Sequence, residues 1–273
     1  MNQTYRMIAI VGFTTVLAGL VSPVHAQLPD GGTAPRSSWL MTAQAENNQA
    51  RAVELYNQGV DKLDSGDYRG AIASFEQAIQ LDANDADTYY NRGYAYHSLG
   101  NYDKAISDYS AAIRIKPDFD QAYSNRGYAQ YVLKNYREAI ADCTKAIEMN
   151  PKNDTAYVSR GNAHDELGEH QKAIADYEQA LKINPDNAMA YYNRGLTRNR
   201  LKEHQAAIAD YTEAIRIQPT FGEAFYNRGL SHFNLEQTEP AIKDLQQAAA
   251  LFQEQGRTTN YQSVLNAIRT IQQ

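Results

Sequence analysis

The sequence predicts an all-α solenoid of six helix-turn-helix units closed by a C-terminal helix. Three observations carry this. A pattern recurs every 34 residues from Ala52, in units starting at Ala52, Ala86, Asp120, Asp154, Ala188 and Gly222. Numbered within a unit, position 8 is always Gly (Gly59, Gly93, Gly127, Gly161, Gly195, Gly229), and positions 20 and 27 are always Ala. Pro stands at position 32 in four units (Pro117, Pro151, Pro185, Pro219), where it stops a helix because it has no N–H to donate.

In chain order, Arg6 precedes an apolar run from Met7 to Val21, with Val24 and Ala26 at −3 and −1 of a cleavage point before Gln27. This is the grammar of a signal peptide over residues 1–26. The run is shorter than the roughly 20 residues of a spanning helix, so no membrane span is expected in the mature form. An uncleaved anchor is the alternative. Residues 27–41, rich in Gly, Pro and Ser, are expected to be an unstructured linker, with Trp39 packing on the first helix. Residues 42–51 read as a helical extension. The repeats then occupy 52–85, 86–119, 120–153, 154–187, 188–221 and 222–255.

Within a unit, helix A is expected over positions 1–14 and helix B over 18–31. Gly in mid-helix costs up to about 1 kcal/mol against Ala. Its presence at position 8 in all six units implies that a side chain there would strike an adjacent helix. Large groups at position 4 (Leu55, Tyr89, Tyr123, Tyr157, Tyr191, Phe225) and the Ile of position 21 supply buried area. After Gly256, the residues Tyr261, Val264, Leu265, Ile268 and Ile271 recur at helical spacing. A capping helix over 258–273 would cover the apolar face of unit six, as solenoid ends require.

Position 7 is Gln58 in unit one and Arg in the other five (Arg92, Arg126, Arg160, Arg194, Arg228). Position 23 is Ser74 in unit one and Asp in the rest (Asp108, Asp142, Asp176, Asp210, Asp244). The two columns change together, which predicts an ion pair between helices A and B of each unit. An Arg row lining a ligand channel is the alternative.

The net charge of −6 argues against a nucleic-acid surface, which needs clustered Lys and Arg. The single Cys143 allows no internal disulfide and reads as a small buried hydrophobe. No phosphate loop, HExxH or CxxC occurs. The expectation is a protein that is not an enzyme, with no cofactor and no metal. His164 and His232 at position 11, and His170 and His204 at position 17, read as packing residues.

These columns resemble the tetratricopeptide repeat family: a large residue at 4, Gly at 8, Ala at 20 and 27, an aromatic at 24 and Pro at 32. Position 24 here reads Phe75, Tyr109, Cys143, Tyr177, Tyr211 and Leu245. The resemblance covers 52–255 and implies a right-handed superhelix whose inner face is lined by helix A, chiefly positions 2, 5, 6, 9, 12 and 13. It also implies a protein or extended peptide segment as partner. Position 6 gives an inner Asn column (Asn57, Asn91, Asn125, Asn193, Asn227, with Ser159 in unit four). Amides both donate and accept, as a peptide group does. These either grip a partner's backbone or bond between helices of the solenoid. Positions 5, 9 and 12 add Tyr56, Tyr90, Tyr94, Tyr128, Tyr131, Tyr192, Tyr226 and Phe233, with His97 also facing the groove. Unit four departs, with Val158, Asn162 and Asp165. The family's carboxylate clamp for chaperone tails lacks its residues here.

The resulting expectation is an exported scaffold or assembly factor, in a periplasm or lumen or secreted, holding an extended segment in its groove. The alternatives are a structural subunit of an envelope complex using its convex face or ends, and a small-ligand or glycan binder using the tyrosines, Asp165 and His97. Oligomeric state is not legible.

Overall fold

A turn at position 15 separates the two helices of every unit, and its backbone is left-handed each time. Gly66, Gly100 and Gly168 adopt φ of 76–79°, and Lys134, Lys202 and Glu236 adopt the same region at 61–65°. The computed structural model describes residues 36–273, and among them thirteen helices and no strand occur. They are α1 (Arg36–Asp64), α2 (Tyr68–Leu81), α3 (Ala86–Ser98), α4 (Tyr102–Ile115), α5 (Asp120–Val132), α6 (Tyr136–Met149), α7 (Asp154–Glu166), α8 (His170–Ile183), α9 (Ala188–Arg200), α10 (His204–Ile217), α11 (Gly222–Asn234), α12 (Thr238–Glu254) and α13 (Thr258–Gln272).

The expected signal peptide and the linker up to residue 35 lie outside the described residues, as does the side chain of Trp39. Residues 36–41, expected to be unstructured, are helical: α1 starts at Arg36 and runs through the extension into helix A of unit one. The chain divides into two compact units, Met1–Asn47 and Asn48–Gln273, and the solenoid lies in the second.

Helix starts are fixed locally. Asp67 and Asn101 cap α2 and α4 by accepting from the N–H of Gly70 and Lys104. Asn153 and Asn187 cap α7 and α9 in the same way, satisfying N–H groups that have no partner inside the helix. Phe119 and Phe221 take the equivalent place before α5 and α11 without a side-chain cap. They are buried instead, with rings 4.8 Å and 4.7 Å from Tyr90 and Tyr192.

The invariant glycines face helix B of their own unit. A Cβ on Gly161 would lie 2.8 Å from the Tyr177 ring and 3.2 Å from the Ala173 carbonyl. On Gly127 it would lie 2.6 Å from Cys143 Sγ. Position 8 is thus the floor on which the position 24 side chain rests. Two further small columns, positions 3 and 10, face the preceding unit. Thr88, Ala122, Ala156, Ala190 and Ala224 are buried, as are Ala95, Ala129, Ala163, Thr197 and Ser231. In unit one the same positions are Glu54 and Asp61, both exposed, so the leading face of the stack is polar in its own right. At the other end α13 sets Val264, Tyr261, Ile268 and Ile271 against Leu245, Ala248 and Phe252. Glu223 and Arg257 pair across this junction at 2.5 Å.

Successive first helices touch (α3 with α5, α5 with α7, α7 with α9, α9 with α11), whereas among the described residues successive second helices show no comparable contact. The stack therefore bends toward the first helices, and these line its inner side.

Candidate functional site

Each Arg of position 7 lies against the Asp of its own unit. In Arg92–Asp108, Arg126–Asp142, Arg160–Asp176, Arg194–Asp210 and Arg228–Asp244, Nε and Nη2 donate to the carboxylate at 2.6–3.2 Å. The Asp residues are buried. Three of the arginines also reach the preceding unit, with Nη1 donating to Ser110, Thr144 and Thr212 at 2.9–3.1 Å. Each guanidinium lies 5.4–5.6 Å from the position 4 ring of its own helix. The row is scaffold, not channel lining. In unit one, Lys62 reaches Ser74 at 2.8 Å in its place.

The Asn column divides. Asn91 and Asn125 are 5% and 3% exposed, and their amides donate to the hydroxyls of Tyr56 and Tyr90 in the preceding unit, both at 3.0 Å. Asn227 does the same to Tyr192 at 3.1 Å. These three amides bond between units, so the backbone-gripping reading is withdrawn for them. Tyr56, Tyr90 and Tyr192 go with them: their hydroxyls are the acceptors, and their rings lie 5.8–5.9 Å from Phe75, Tyr109 and Tyr211. Burial pushes the Tyr56 and Tyr192 hydroxyls up to about 12. Tyr226 packs toward the C-terminal cap. The column pairs are legible across neighbouring units. Where position 5 becomes Ser124, position 6 of the next unit becomes Ser159. Where it becomes Val158, Asn193 turns instead to Asn162 Oδ1 at 2.9 Å. Asn57, with no preceding unit, is exposed.

What remains on the inner side is an aromatic strip. Tyr94 and His97 rings lie 6.4 Å apart, His97 stacks on Tyr128 at 5.1 Å with planes 11° apart, and Tyr128 lies 6.4 Å from Tyr131. Tyr102 meets His97 edge-on at 5.3 Å, and Tyr136 backs Tyr131 at 6.0 Å. Tyr102 and Tyr136 share position 17, a column not assigned to the groove from sequence. Burial among these rings lowers the His97 imidazole from 6.5 to about 4. Its Nδ1 is sealed without a hydrogen-bond partner in the chain. At the far end Phe233 is 40% exposed.

The strip ends at a polar seat. Asn162 Oδ1 accepts from Tyr177 at 2.8 Å as well as from Asn193. Buried Asp165 takes Arg200 and His170, the latter at 2.7 Å. Arg200 also reaches Glu166 at 3.4 Å. Tyr131, Asn162, Asp165, Glu166, Tyr177, Asn193, Leu196 and Arg200 line a cavity of about 50 Å³. Glu166 and Arg200, both at position 13, carry no repeat-wide pattern and were not singled out from sequence. The other histidines tie the A–B turns: His164 to Glu169, His204 to Asn199 and His232 to Gln237, at 2.5–3.0 Å.

Tetratricopeptide repeat profiles match residues 56–118, 121–153, 143–175, 188–221 and 223–254, and a TPR repeat profile matches 161–202. No curated protein sequence matches the chain. Among solved structures, MamA is 27% identical with a TM-score of 0.54, over 60% of this chain and 96% of its own. YrrB, described as a TPR protein with an unusual peptide-binding site, is 22% identical with a TM-score of 0.56, over 71% and 97%. PilW, described as a widely conserved type IV pilus biogenesis factor, is 21% identical with a TM-score of 0.70, over 78% and 98%. The last two likenesses speak for the fold alone. The repeat columns, the helix pairs they build and these profile matches agree: the chain belongs to the tetratricopeptide repeat family.

Proposed function

We propose that this interaction scaffold is exported and holds an extended segment of another polypeptide along the inner side of its first helices. The single observation that carries the reading is the strip of Tyr94, His97, Tyr128 and Tyr131, half-buried rings left on the inner face after the unit-to-unit bonds are made. Tyrosine offers large contact area with little rotamer entropy to lose and a polar tip, which suits recognition of a peptide. Asn193 and exposed Asn57 remain with this surface, and Phe233 extends it toward the last unit. The peptide-binding description of YrrB is in keeping with it.

The proposal of export rests on Arg6, the apolar run and the Val24–Ala26 cleavage grammar. No helix among the described residues is long and apolar enough to cross a membrane. Sequencing the N-terminus of the protein from its native host should give Gln27. A chain starting at Met1 would contradict export by cleavage.

The groove is tested by selecting binders from a random peptide library on the immobilised protein and measuring their affinity for two variants. Tyr94→Ala/Tyr128→Ala should weaken them tenfold or more. Lys145→Ala/Glu148→Ala, on the exposed side of α6, should leave them unchanged. The reverse pattern would place binding on the convex face and overturn the reading.

A further inference from the structure

The few charged residues of the inner rows are almost all acidic. Across positions 2, 5, 6, 9, 12 and 13 the charged residues are Asp64, Asp87, Asp165, Glu166 and Glu223 against one base, Arg200. Glu223 is already paired with Arg257. At the polar seat the carboxylates of Asp165 and Glu166 share the single guanidinium of Arg200 beside the cavity, and Asp165 also bonds to His170.

A second observation lies under the neighbouring strip. Tyr177 passes from helix B to the inner side and donates to Asn162 of position 9. Tyr211 also reaches the inner side, where its hydroxyl accepts from the amide of Asn199 at position 12. Tyr109 is their counterpart in unit two, fully buried, and here positions 9 and 12 are the rings Tyr94 and His97 in place of an amide. His97 Nδ1, one turn along the helix from Tyr94, is buried without a hydrogen-bond partner in the chain. Buried polar atoms are nearly always satisfied, so an unpartnered imidazole nitrogen marks this floor of rings as apolar in character, fit for an apolar side chain. The same joint carries the only stacked ring pair among the described residues, His97 on Tyr128.

Resting on the groove reading, we infer that the occupant is an extended segment with an aromatic or aliphatic residue seated on Tyr94, His97 and Tyr128, and a Lys or Arg seated against Asp165 and Glu166. Neighbouring helices pack about 8–10 Å apart and an extended chain advances about 3.3 Å per residue. One to one and a half units from strip to seat thus correspond to roughly three to five residues. Opposite charge across the groove raises encounter rate and selects against acidic segments.

The test uses the purified full chain and fluorescein-labelled twelve-residue peptides, of Gly, Ser and Ala around one Phe and one Lys four residues apart, read by fluorescence anisotropy. The Phe–Lys peptide should bind at least tenfold more tightly than its Phe–Glu and Ala–Lys counterparts, and more weakly as salt is raised. Glu166→Gln, at an exposed position, should reduce Phe–Lys binding several-fold, and Asp165→Asn should do so further if the variant folds. Glu148→Gln on the outer face should not. Equal binding of the Lys and Glu peptides would overturn the basic-segment inference and leave the groove standing. If the inner-face variants also left every peptide's affinity unchanged, or if none bound while library selection recovered only outer-face binders, both readings would fall.

Discussion

Units two and three differ from units four and five in how they use the same columns. At the joint between two and three, Tyr90 and Asn125 bond to each other in the interior, and the inner surface above them carries the rings of Tyr94, His97, Tyr128 and Tyr131. At the joint between three and four the two positions are Ser124 and Ser159, and the surface beyond it carries Asn162, Asp165, Glu166 and Arg200. Scaffold and surface are thus written in one repeat, and a column's role depends on what the neighbouring unit offers it.

The largest effect should be common to both halves. Asp142→Ala and Asp176→Ala each strand a partly buried guanidinium and should cost about 3–5 kcal/mol, measured by urea denaturation. A marked inequality between them would mean that the halves differ in framework as well as in surface. The next effect belongs to the aromatic half alone. Burial holds His97 at about 4 against its ordinary 6.5, so the unfolded chain takes up a proton that the folded chain refuses. Stability should be full above pH 6.5 and fall progressively toward pH 4, by no more than about 3 kcal/mol. His97→Phe should flatten that part of the profile, and an unchanged slope would assign it to other groups.

A smaller contrast concerns the joints. Asn125→Ala leaves the Tyr90 hydroxyl without its donor and should cost about 1–3 kcal/mol, whereas Ser159→Ala should cost under about 1 kcal/mol. Equal losses would remove the distinction between the two joints. The smallest concerns the turns. Lys134 holds a left-handed backbone where unit four has Gly168. Lys134→Gly should stabilise by at most about 1 kcal/mol, and Gly168→Ala should destabilise by a similar amount, both visible as shifts in urea midpoint.

Much of the framework was legible because its signals repeat within a unit. The single deviant unit, with Gln58 and Ser74, was enough to pair the Arg and Asp columns correctly. The Gly column announced a close approach, although its partner is the position 24 side chain of the same unit. The inner Asn column left two readings open, and for Asn91, Asn125 and Asn227 it is the bond between helices that holds. Its partners lie 35 residues back, in another unit, and only the joint loss of Tyr at Ser124 and Asn at Ser159 discloses them. The small residues of positions 3 and 10 were overlooked for the same reason, since their packing is against the preceding unit. The start of α1 at Arg36 was missed because glycine and proline before it dominated the composition of 27–41. The polar seat had no repeat signature at all: Glu166 and Arg200 meet only through folding.

The place where a bound peptide touches the solenoid separates its inner side from its outer side. A library-selected peptide carrying one photoreactive residue, irradiated on the protein and mapped by mass spectrometry, should crosslink to α3, α5 and α7, between Tyr94 and Glu166. Crosslinks confined to α4, α6 and α8 would contradict binding on the inner side.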